Sequence, residues 1–400
     1  MFRRKLRLIV VAGLALMLAF TLAGGAVAAS NADDNGLGRY IVVFDTGVND
    51  AAKDNLVKQF GGVVEKPIAL LGNANVVFLP PRAVQALVES SSVLRVDEDV
   101  IVYAVAKPQP APPPAETLPW GVDRIDAALA WDVSTGAGVK VAIVDTGIDQ
   151  DHPDLVGNIK GGVNFVAKGR TVDPSKWDDD NGHGSHVAGI VAAVDNDIGV
   201  IGVAHQAWLY GVKVLDKRGS GYLSDVILGI EWSIDNGMQV INMSLGTSSD
   251  VQSLHDAVDA AYAAGIVLVA AAGNSGDTDP DDDVIYPAKY ASVIAVAATD
   301  DTDTRASWSS DGPDVESAAP GVSIYSTYKG GGFATLSGTS MASPHVAGTV
   351  ALVLAANPTL TPGDVRATLQ ATADDLGATG LDNYYGHGLV DAGETVTGTP

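Results

Sequence analysis

The stretch Val139-Lys140-Val141-Ala142-Ile143-Val144-Asp145-Thr146-Gly147 decides the fold, because an almost wholly apolar run ends there in a short polar turn. Four further apolar runs follow, at residues 208–214, 240–243, 266–271 and 293–297. Helical patterns are predicted at residues 183–194, 223–236, 253–264, 341–356 and 362–373. Strands that are apolar throughout and alternate with helices indicate an α/β fold, with a mainly parallel central sheet covered on both faces.

A smaller unit precedes this region, at residues 39–105. Its pattern predicts strands at 39–44 and 75–79, helices at 50–60 and 81–90, and an extended stretch at 93–102. This β-α-β-α-β order is typical of a small α+β fold of ferredoxin-like type. Residues 106–115 contain five prolines and are predicted to form an extended linker, so that the main domain spans residues 116–400.

Composition excludes several classes of function. The 400 residues contain no cysteine, which excludes disulfide scaffolds, thiolate zinc sites and cysteine nucleophiles. The net charge is −24, so a nucleic-acid partner is not expected, since phosphate binding needs clustered Lys and Arg. The acidic residues are concentrated after residue 115, where the chain has 38 acidic and 13 basic residues. These carboxylates either solvate the surface or bind hard cations such as calcium.

The first 29 residues have the pattern of a secretory signal peptide. Arg3, Arg4, Lys5 and Arg7 precede an uncharged apolar run, which ends in Ala26-Val27-Ala28. An uncleaved membrane anchor is the alternative, because the run is just long enough to span a bilayer. The small residues at its end favour cleavage. We therefore expect a secreted, extracellular protein with no membrane contact after the signal is removed.

Three polar segments lie where parallel strands end or helices begin, which is where sites form in such sheets. They contain Asp145, His183 and Ser340. A serine hydroxyl is a weak nucleophile that needs a base, and the base needs a carboxylate to orient it. Taken singly, Asp145 and Ser340 could be caps, and His183 with His186 could bind a metal. Together the three supply a complete set for nucleophilic catalysis.

The motifs around these residues resemble those of the subtilisin-like serine proteases, the subtilases of peptidase family S8. The matching segments are Asp145-Thr146-Gly147, His183-Gly184-Ser185-His186 and Gly338-Thr339-Ser340-Met341-Ala342, and the similarity extends over residues 116–395. The resemblance implies a subtilisin-like three-layer fold and a serine endopeptidase that hydrolyses proteins or peptides through an acyl-enzyme. It also implies that Asn274 is an oxyanion donor and that the enzyme works as a monomer.

Further roles follow from the same resemblance. Two segments would bind the substrate as added strands. Neighbouring residues would form the walls of the pocket that binds the side chain before the cut peptide bond. The residues with these two roles are Gly219, Ser220, Gly221, Ser244, Leu245, Gly246, Ala271, Gly273 and Ile285. Because Ile285 falls where relatives often have a smaller residue, we expect a shallow pocket that prefers medium apolar side chains. A structural Ca²⁺ ion would be held by Glu116, Asp154, Val194, Asn196, Ile198 and Val200. Residues 279–283 and Glu316 either bind a second ion or form an acidic, solvated surface.

The resemblance also gives residues 39–105 a role as a propeptide, which assists folding and inhibits the enzyme. We expect self-cleavage between Ala104 and Lys107. The alternative is a permanent N-terminal module. Two other functions are considered: a catalytically inactive secreted binding module with the same fold, and a dinucleotide-binding dehydrogenase. The second is excluded because no G-x-G-x-x-G follows the first strand.

Overall fold

The computed structural model describes residues 36–104, 107–111, 115–167, 171–277 and 282–399. The predicted signal peptide lies outside these residues. We call residues 36–104 the N-terminal unit and residues 115–399 the main region. The N-terminal unit consists of β1 (Gly38–Phe44), α1 (Asp50–Gln59), β2 (Val63–Ile68), β3 (Ala74–Leu79), α2 (Val84–Val88), β4 (Val93–Glu98) and β5 (Ile101–Ala104).

Four strands of the N-terminal unit form an antiparallel sheet in the order β2-β3-β1-β4. The pattern predicted the α+β class but missed β2. This strand lies at the edge of the sheet, alternates between exposed and half-buried residues, and contains Pro67. Such a strand lacks the apolar pattern of a buried one. The extended stretch predicted at 93–102 is divided into β4 and β5, which belong to different sheets.

The centre of the main region is a parallel sheet of seven strands in the order β15-β14-β13-β11-β7-β9-β8. The strands are β7 (Lys140–Asp145), β8 (Ile159–Asn164), β9 (Trp208–Lys213), β11 (Val240–Met243), β13 (Val267–Ala271), β14 (Val293–Thr299) and β15 (Val315–Pro320). The predicted parallel α/β class is confirmed, with its five predicted strands. The edge strands β8 and β15 were missed because β8 carries two glycines and β15 consists mainly of small and polar residues.

Helices cover both faces of this sheet, as expected. They are α3 (Trp120–Arg124), α4 (Ala127–Ala130), α5 (His183–Ala192), α6 (Leu223–Asp235), α7 (Gln252–Ala263), α8 (Thr339–Ala356), α9 (Pro362–Ala371) and α10 (Ala392–Thr397). The helix α8 is long and apolar enough to cross a membrane, but 89% of it is buried inside the protein. It is therefore the central helix of the core, where it packs with α5 against one face of the sheet.

Two small antiparallel sheets join the N-terminal unit and the linker to the main region. In the first, β5 lies between β10 (Ser220–Tyr222) and β12 (Leu245–Gly246). In the second, β17 (Gly332–Ser337) lies between β16 (Ile324–Tyr328) and β6 (Lys107–Ala111). Within the segment predicted as an extended linker, residues 107–111 form the strand β6.

Candidate active site

The structure brings Asp145 and His183 into direct contact. Asp145 ends β7 and His183 begins α5, so the parallel sheet and the helix packed on it place the two side chains together. The Nδ1 atom of His183 lies 2.7 Å from Oδ1 and 2.9 Å from Oδ2 of Asp145, and both residues are buried. Burial opposes the charged imidazole, but the Asp145 carboxylate outweighs it and raises the pKa of His183 above its ordinary value.

Ser340 lies in the first turn of α8, directly after the extended residues of β17 and Gly338. Its Oγ atom donates a hydrogen bond to the carbonyl oxygen of Ser244 at 3.0 Å. The Nε2 atom of His183 is buried and has no hydrogen-bond partner among the described residues. The structure therefore forms the Asp145–His183 pair, while the Ser340 hydroxyl is directed to Ser244. Rotation about one side-chain bond changes the direction of a serine hydroxyl, and catalytic hydrogen bonds commonly tighten only when substrate is bound.

A second buried carboxylate, Asp179, supports the pair. Its Oδ1 atom accepts hydrogen bonds from the Thr146 hydroxyl at 2.9 Å and from the Gly182 amide at 2.8 Å. Its Oδ2 atom accepts from the amide and the hydroxyl of Ser185, at 2.9 and 2.6 Å. Asp179 thus connects the residue after Asp145 to the first turn of α5, which carries His183. It also contributes to the raised pKa of His183.

This role of Asp179 was not predicted from the sequence, where His183 and His186 were considered as a possible metal-binding pair. His186 instead directs Nε2 to the carbonyl oxygens of Ile324 and Ala334, both at 3.1 Å. Burial lowers the pKa of His186 to about 3, so this imidazole is neutral and structural. The only available signal for Asp179 was its position four residues before His183 at the start of a helix.

Asn274 is fixed by the residue next to Ser340. The amide and the hydroxyl of Thr339 both donate to Oδ1 of Asn274, at 3.0 and 2.9 Å. Because these bonds hold the carbonyl end of the side-chain amide, the Nδ2 end is directed away from Thr339. The side-chain amide of Asn274 is therefore anchored through its oxygen at the first residue of α8, next to Ser340.

The segments expected to bind substrate flank one strand of the N-terminal unit. In β10, Ser220 pairs with Tyr103 and Gly221 with Val102, and the Ala104 amide donates to the Gly219 carbonyl at 2.8 Å. In β12, Leu245 pairs with Ala104 and Gly246 with Tyr103. All these pairings are between backbone groups, so the cleft can hold an extended peptide largely independently of its side chains.

The walls of the expected pocket lie around Ile285. The Ile285 amide donates to the Ala272 carbonyl at 2.9 Å, next to Ala271 at the end of β13. A Cβ atom on Gly246 would lie 2.4 Å from Cδ1 of Ile285, and one on Gly273 would lie 3.2 Å from its Cγ2. The Ile285 side chain therefore lies close to both Gly246 and Gly273. The shallow pocket expected from it stays a prediction.

The residues expected to hold calcium converge on Asp154 and Asn196. The Oδ2 atom of Asp154 accepts from the Val200 amide at 3.0 Å, and the Asp154 carbonyl accepts from Val194 at 2.9 Å. The Asn196 amide donates to Oε1 of Glu116 at 2.7 Å, and its Oδ1 accepts from Ile198 at 3.1 Å.

This set of residues fits a hard cation. The Oδ1 atom of Asp154 is buried and lacks a partner within the described ranges. Desolvation raises the pKa of this carboxyl to about 7. A buried carboxylate with the Asn196 side chain and the Glu116 carboxylate as neighbours offers the oxygen donors that Ca²⁺ prefers.

Comparison with known proteins shows the family of this chain. The model of the subtilase family of peptidases S8 matches residues 136–388. This chain belongs to the subtilase family. It is 44% identical to subtilisin E of Bacillus subtilis (strain 168) over 382 residues, covering 94% of this chain and 95% of the relative. It is 51% identical to subtilisin DY of Bacillus licheniformis over 278 residues, which cover 69% and 98% of the two chains.

An alkaline protease of Shouchella clausii is 46% identical over 315 residues, covering 78% of this chain and 77% of the relative. As a member of this family, the protein is a serine-type endopeptidase that acts on proteins or peptides. The α/β fold expected from the resemblance is confirmed, and the inactive binding module is not favoured.

Proposed function

We propose that this subtilase is made as a secreted, self-processing zymogen whose catalytic residues are Asp145, His183 and Ser340. The observation that carries the proposal is the Asp145–His183 contact at 2.7 Å beside a cleft that already holds an extended strand. Ser340 Oγ attacks the carbonyl carbon of the peptide bond while His183 Nε2 takes the hydroxyl proton. The same proton then passes to the leaving amine, and water hydrolyses the acyl-enzyme by the reverse sequence.

Asp145 and Asn274 complete the proposed mechanism. Asp145 holds the His183 ring with Nδ1 protonated and stabilises the imidazolium that forms during the reaction. The Nδ2 group of Asn274 and the backbone N–H of Ser340 would donate to the oxyanion. Removing a side-chain oxyanion donor costs about 10²–10³ in turnover, and the known example of that magnitude is a subtilisin.

The position of the self-cleavage site follows from two strands. β5 ends at Ala104, which pairs with Leu245, next to Ser244. β6 begins at Lys107, which pairs with Ser337, three residues before Ser340. These two pairings support the proposal that self-cleavage occurs between Ala104 and Lys107. Cleavage there would separate the N-terminal unit from the main region.

The N-terminal unit is proposed to remain bound as an inhibitor, because it fills the cleft and contacts two helices at their N-termini. Asp99 accepts from the amide and the hydroxyl of Ser224 in the first turn of α6, at 2.8 and 2.7 Å. Asp97 accepts a hydrogen bond from the Ser253 hydroxyl in the first turn of α7. Carboxylates at such ends satisfy free amides and complement the helix dipole.

Structural calcium is proposed at the Asp154 site. Its ligands would be the side chains of Asp154, Asn196 and Glu116 and the carbonyls of Val194, Ile198 and Val200. The ion would neutralise the buried carboxylate and fix the loop after α5. Its role is structural, because it takes no part in proton transfer or in the attack on the peptide bond.

The decisive experiment is the intact mass of refolded residues 30–400, for the wild type beside Ser340→Ala. We expect only the wild type to lose the segment up to the bond between Ala104 and Lys107, since the substitution removes the nucleophile. Circular dichroism shows whether the variant has folded. If both chains stay whole although both fold, self-processing by Ser340 is wrong.

A further inference from the structure

Lys213 is a buried cation at the carboxyl end of β9. Only 5% of this residue is exposed to solvent. β9 runs parallel to β7, and Lys213 lies opposite Asp145 in their register. Taking an ammonium group out of water is costly unless its donors find partners inside the protein. The partners of Lys213 therefore indicate why a charge is placed next to the strand that carries Asp145.

All three donors of the ammonium group are used within the protein. The Nζ atom donates to the Thr146 carbonyl at 2.5 Å, to Oδ1 of Asp180 at 2.7 Å and to the Leu215 carbonyl at 3.0 Å. A lysine ammonium has three donors, so this set is complete. The group is thus held in one position by three converging bonds.

These partners belong to the segments that carry the Asp145–His183 pair. Thr146 directly follows Asp145 at the end of β7, and Asp180 lies three residues before His183. The Leu215 amide donates to the Asp145 carbonyl at 3.1 Å, so the third partner also contacts the end of β7. The ammonium group therefore joins the end of β7 to the loop that leads into α5.

Thr146 connects this contact to the Asp145 carboxylate. The Thr146 amide donates to Oδ1 of Asp145 at 2.7 Å, and the same oxygen lies 2.7 Å from Nδ1 of His183. The Thr146 hydroxyl donates to Asp179 at 2.9 Å. Its carbonyl accepts from Lys213, so all the polar groups of Thr146 are bound. The direction of the Thr146 amide in turn determines how the carboxylate faces the imidazole.

We propose that Lys213 is a positioning residue that sets the orientation of the Asp145 carboxylate toward His183 through the backbone of Thr146. The inference rests on the proposed function and deepens it. Lys213 takes no part in proton transfer, because its three donors are bound to other groups. Its loss allows the end of β7 to shift, and a misplacement of about 1 Å can lower turnover by about 10²-fold.

The test uses the processed enzyme with Lys213→Met, which keeps an unbranched side chain without the charge or the donors. We expect kcat to fall by about 10- to 10²-fold while KM stays within about 2-fold, since the strands proposed to bind substrate are not altered. Proton NMR gives an independent readout, because the resonance of the His183 Nδ1–H reports its hydrogen bond to Asp145. We expect this resonance to shift from its wild-type position.

The matched control is Lys140→Met. Lys140 is the first residue of β7, and its Nζ donates to the Asn236 carbonyl at 3.0 Å. It is therefore a lysine with a backbone partner on the same strand as Asp145, but at the opposite end of that strand. The kcat and the Nδ1–H resonance of this variant should equal those of the wild type.

A second variant, Lys213→Arg, separates positioning from folding. Arginine keeps a positive charge beside Asp180, so it would replace a lysine that is needed only for stability. Its planar fork does not reproduce the three converging bonds of an ammonium group. We expect the variant to fold, its kcat to fall by about 10-fold, and the Nδ1–H resonance to shift.

A wild-type kcat or an unmoved Nδ1–H resonance in either Lys213 variant would overturn the positioning proposal. If circular dichroism shows that neither variant folds while Lys140→Met does, Lys213 serves folding alone and the proposal is wrong. A wild-type enzyme without activity would instead overturn the proposed function, and this inference with it.

Discussion

The N-terminal unit and the main region each contain a sheet with two faces, and they cover those faces differently. In the main region, α5 and α8 pack on one face and α6 and α7 on the other. In the N-terminal unit, one face packs on its own small core, made of Val42, Phe44, Val57, Val77, Leu79, Leu87 and Val93. Its other face, which includes Ile41, Val43 and Val76, joins the core formed by α6 and α7.

This difference shows why the two parts are suited to different roles. A unit of fewer than 80 residues buries a small core, and here half of the sheet needs the main region to be covered. Its stability is therefore coupled to docking. The main region covers its own sheet and holds Asp145 and His183 within that framework, so its chemistry should survive the loss of the N-terminal unit.

The largest effect is expected from a substitution that impairs catalysis but leaves docking of the N-terminal unit unchanged. Asp145→Asn leaves the shape of the side chain but removes the charge that orients His183, so we expect kcat to fall by about 10⁴-fold, as measured for the equivalent change in another serine protease. Inhibition constants for residues 36–104, obtained by competition with an active-site probe, should stay within about 2-fold of the wild type. A large change in both quantities would show that the two functions are not separable.

A second variant weakens docking without touching the catalytic residues. Asp99 is fully buried, pairs with Arg39 at 2.5 Å and caps α6 through Ser224. Asp99→Ala removes one of the two carboxylates that pair with the buried guanidinium of Arg39. We therefore expect the affinity of residues 36–104 for the processed enzyme to fall by about 10²-fold. Titration calorimetry measures it, with the exposed Asp54→Ala on α1 as control. An equal effect of both substitutions would contradict the buried-pair argument.

Within the main region, Asp179 is expected to influence the pH dependence of activity through His183. Because His183 acts as a base only when neutral, and its pKa is raised, activity should rise with pH above the ordinary histidine value of about 6.5. Asp179→Asn removes a negative charge that favours the imidazolium. The acid limb of kcat/KM should therefore move to lower pH, while the maximum falls by about 10-fold through loosened positioning.

The control for Asp179 is Asp178→Asn, at a neighbouring residue that accepts one bond from the Gln150 amide at 3.1 Å. Its acid limb should coincide with that of the wild type. An Asp179→Asn profile with the same acid limb and a lower maximum would assign Asp179 a purely structural role.

The smallest expected effect concerns the pocket. Ile285→Gly opens the space between Gly246 and Gly273, so we expect the preference for Phe over Val before the cut to rise by about 10-fold, with little change for Val itself. Initial rates on a matched pair of peptides measure it. Because β5 ends at Ala104 and contacts the cleft through backbone pairs, docking of the N-terminal unit should not change. An unchanged Phe-to-Val ratio would show that Ile285 does not limit the pocket.

Several features could be predicted from the sequence because they are local. The buried strands of the central sheet have continuous apolar runs, and the motifs around Asp145, His183 and Ser340 identify the family. The strands β2, β8 and β15 were missed because all three lie at sheet edges and carry proline, glycine or small residues in place of an apolar run. The catalytic, substrate-binding and calcium roles of the individual residues stay predictions.

What the sequence by itself determined is the class of fold, the family and the residue types of the candidate site, since these depend on local periodicity and on short motifs. Only the tertiary structure decided which distant groups meet. It directs the Ser340 hydroxyl to the Ser244 carbonyl, joins Asp179 to Thr146 and α5, and pairs residues 107–111 with β17. Apart from the local bonds between Asp179 and α5, these contacts join residues about 30 to 230 positions apart. No local pattern encodes such contacts, because burial and backbone pairing become specific only when the layers pack.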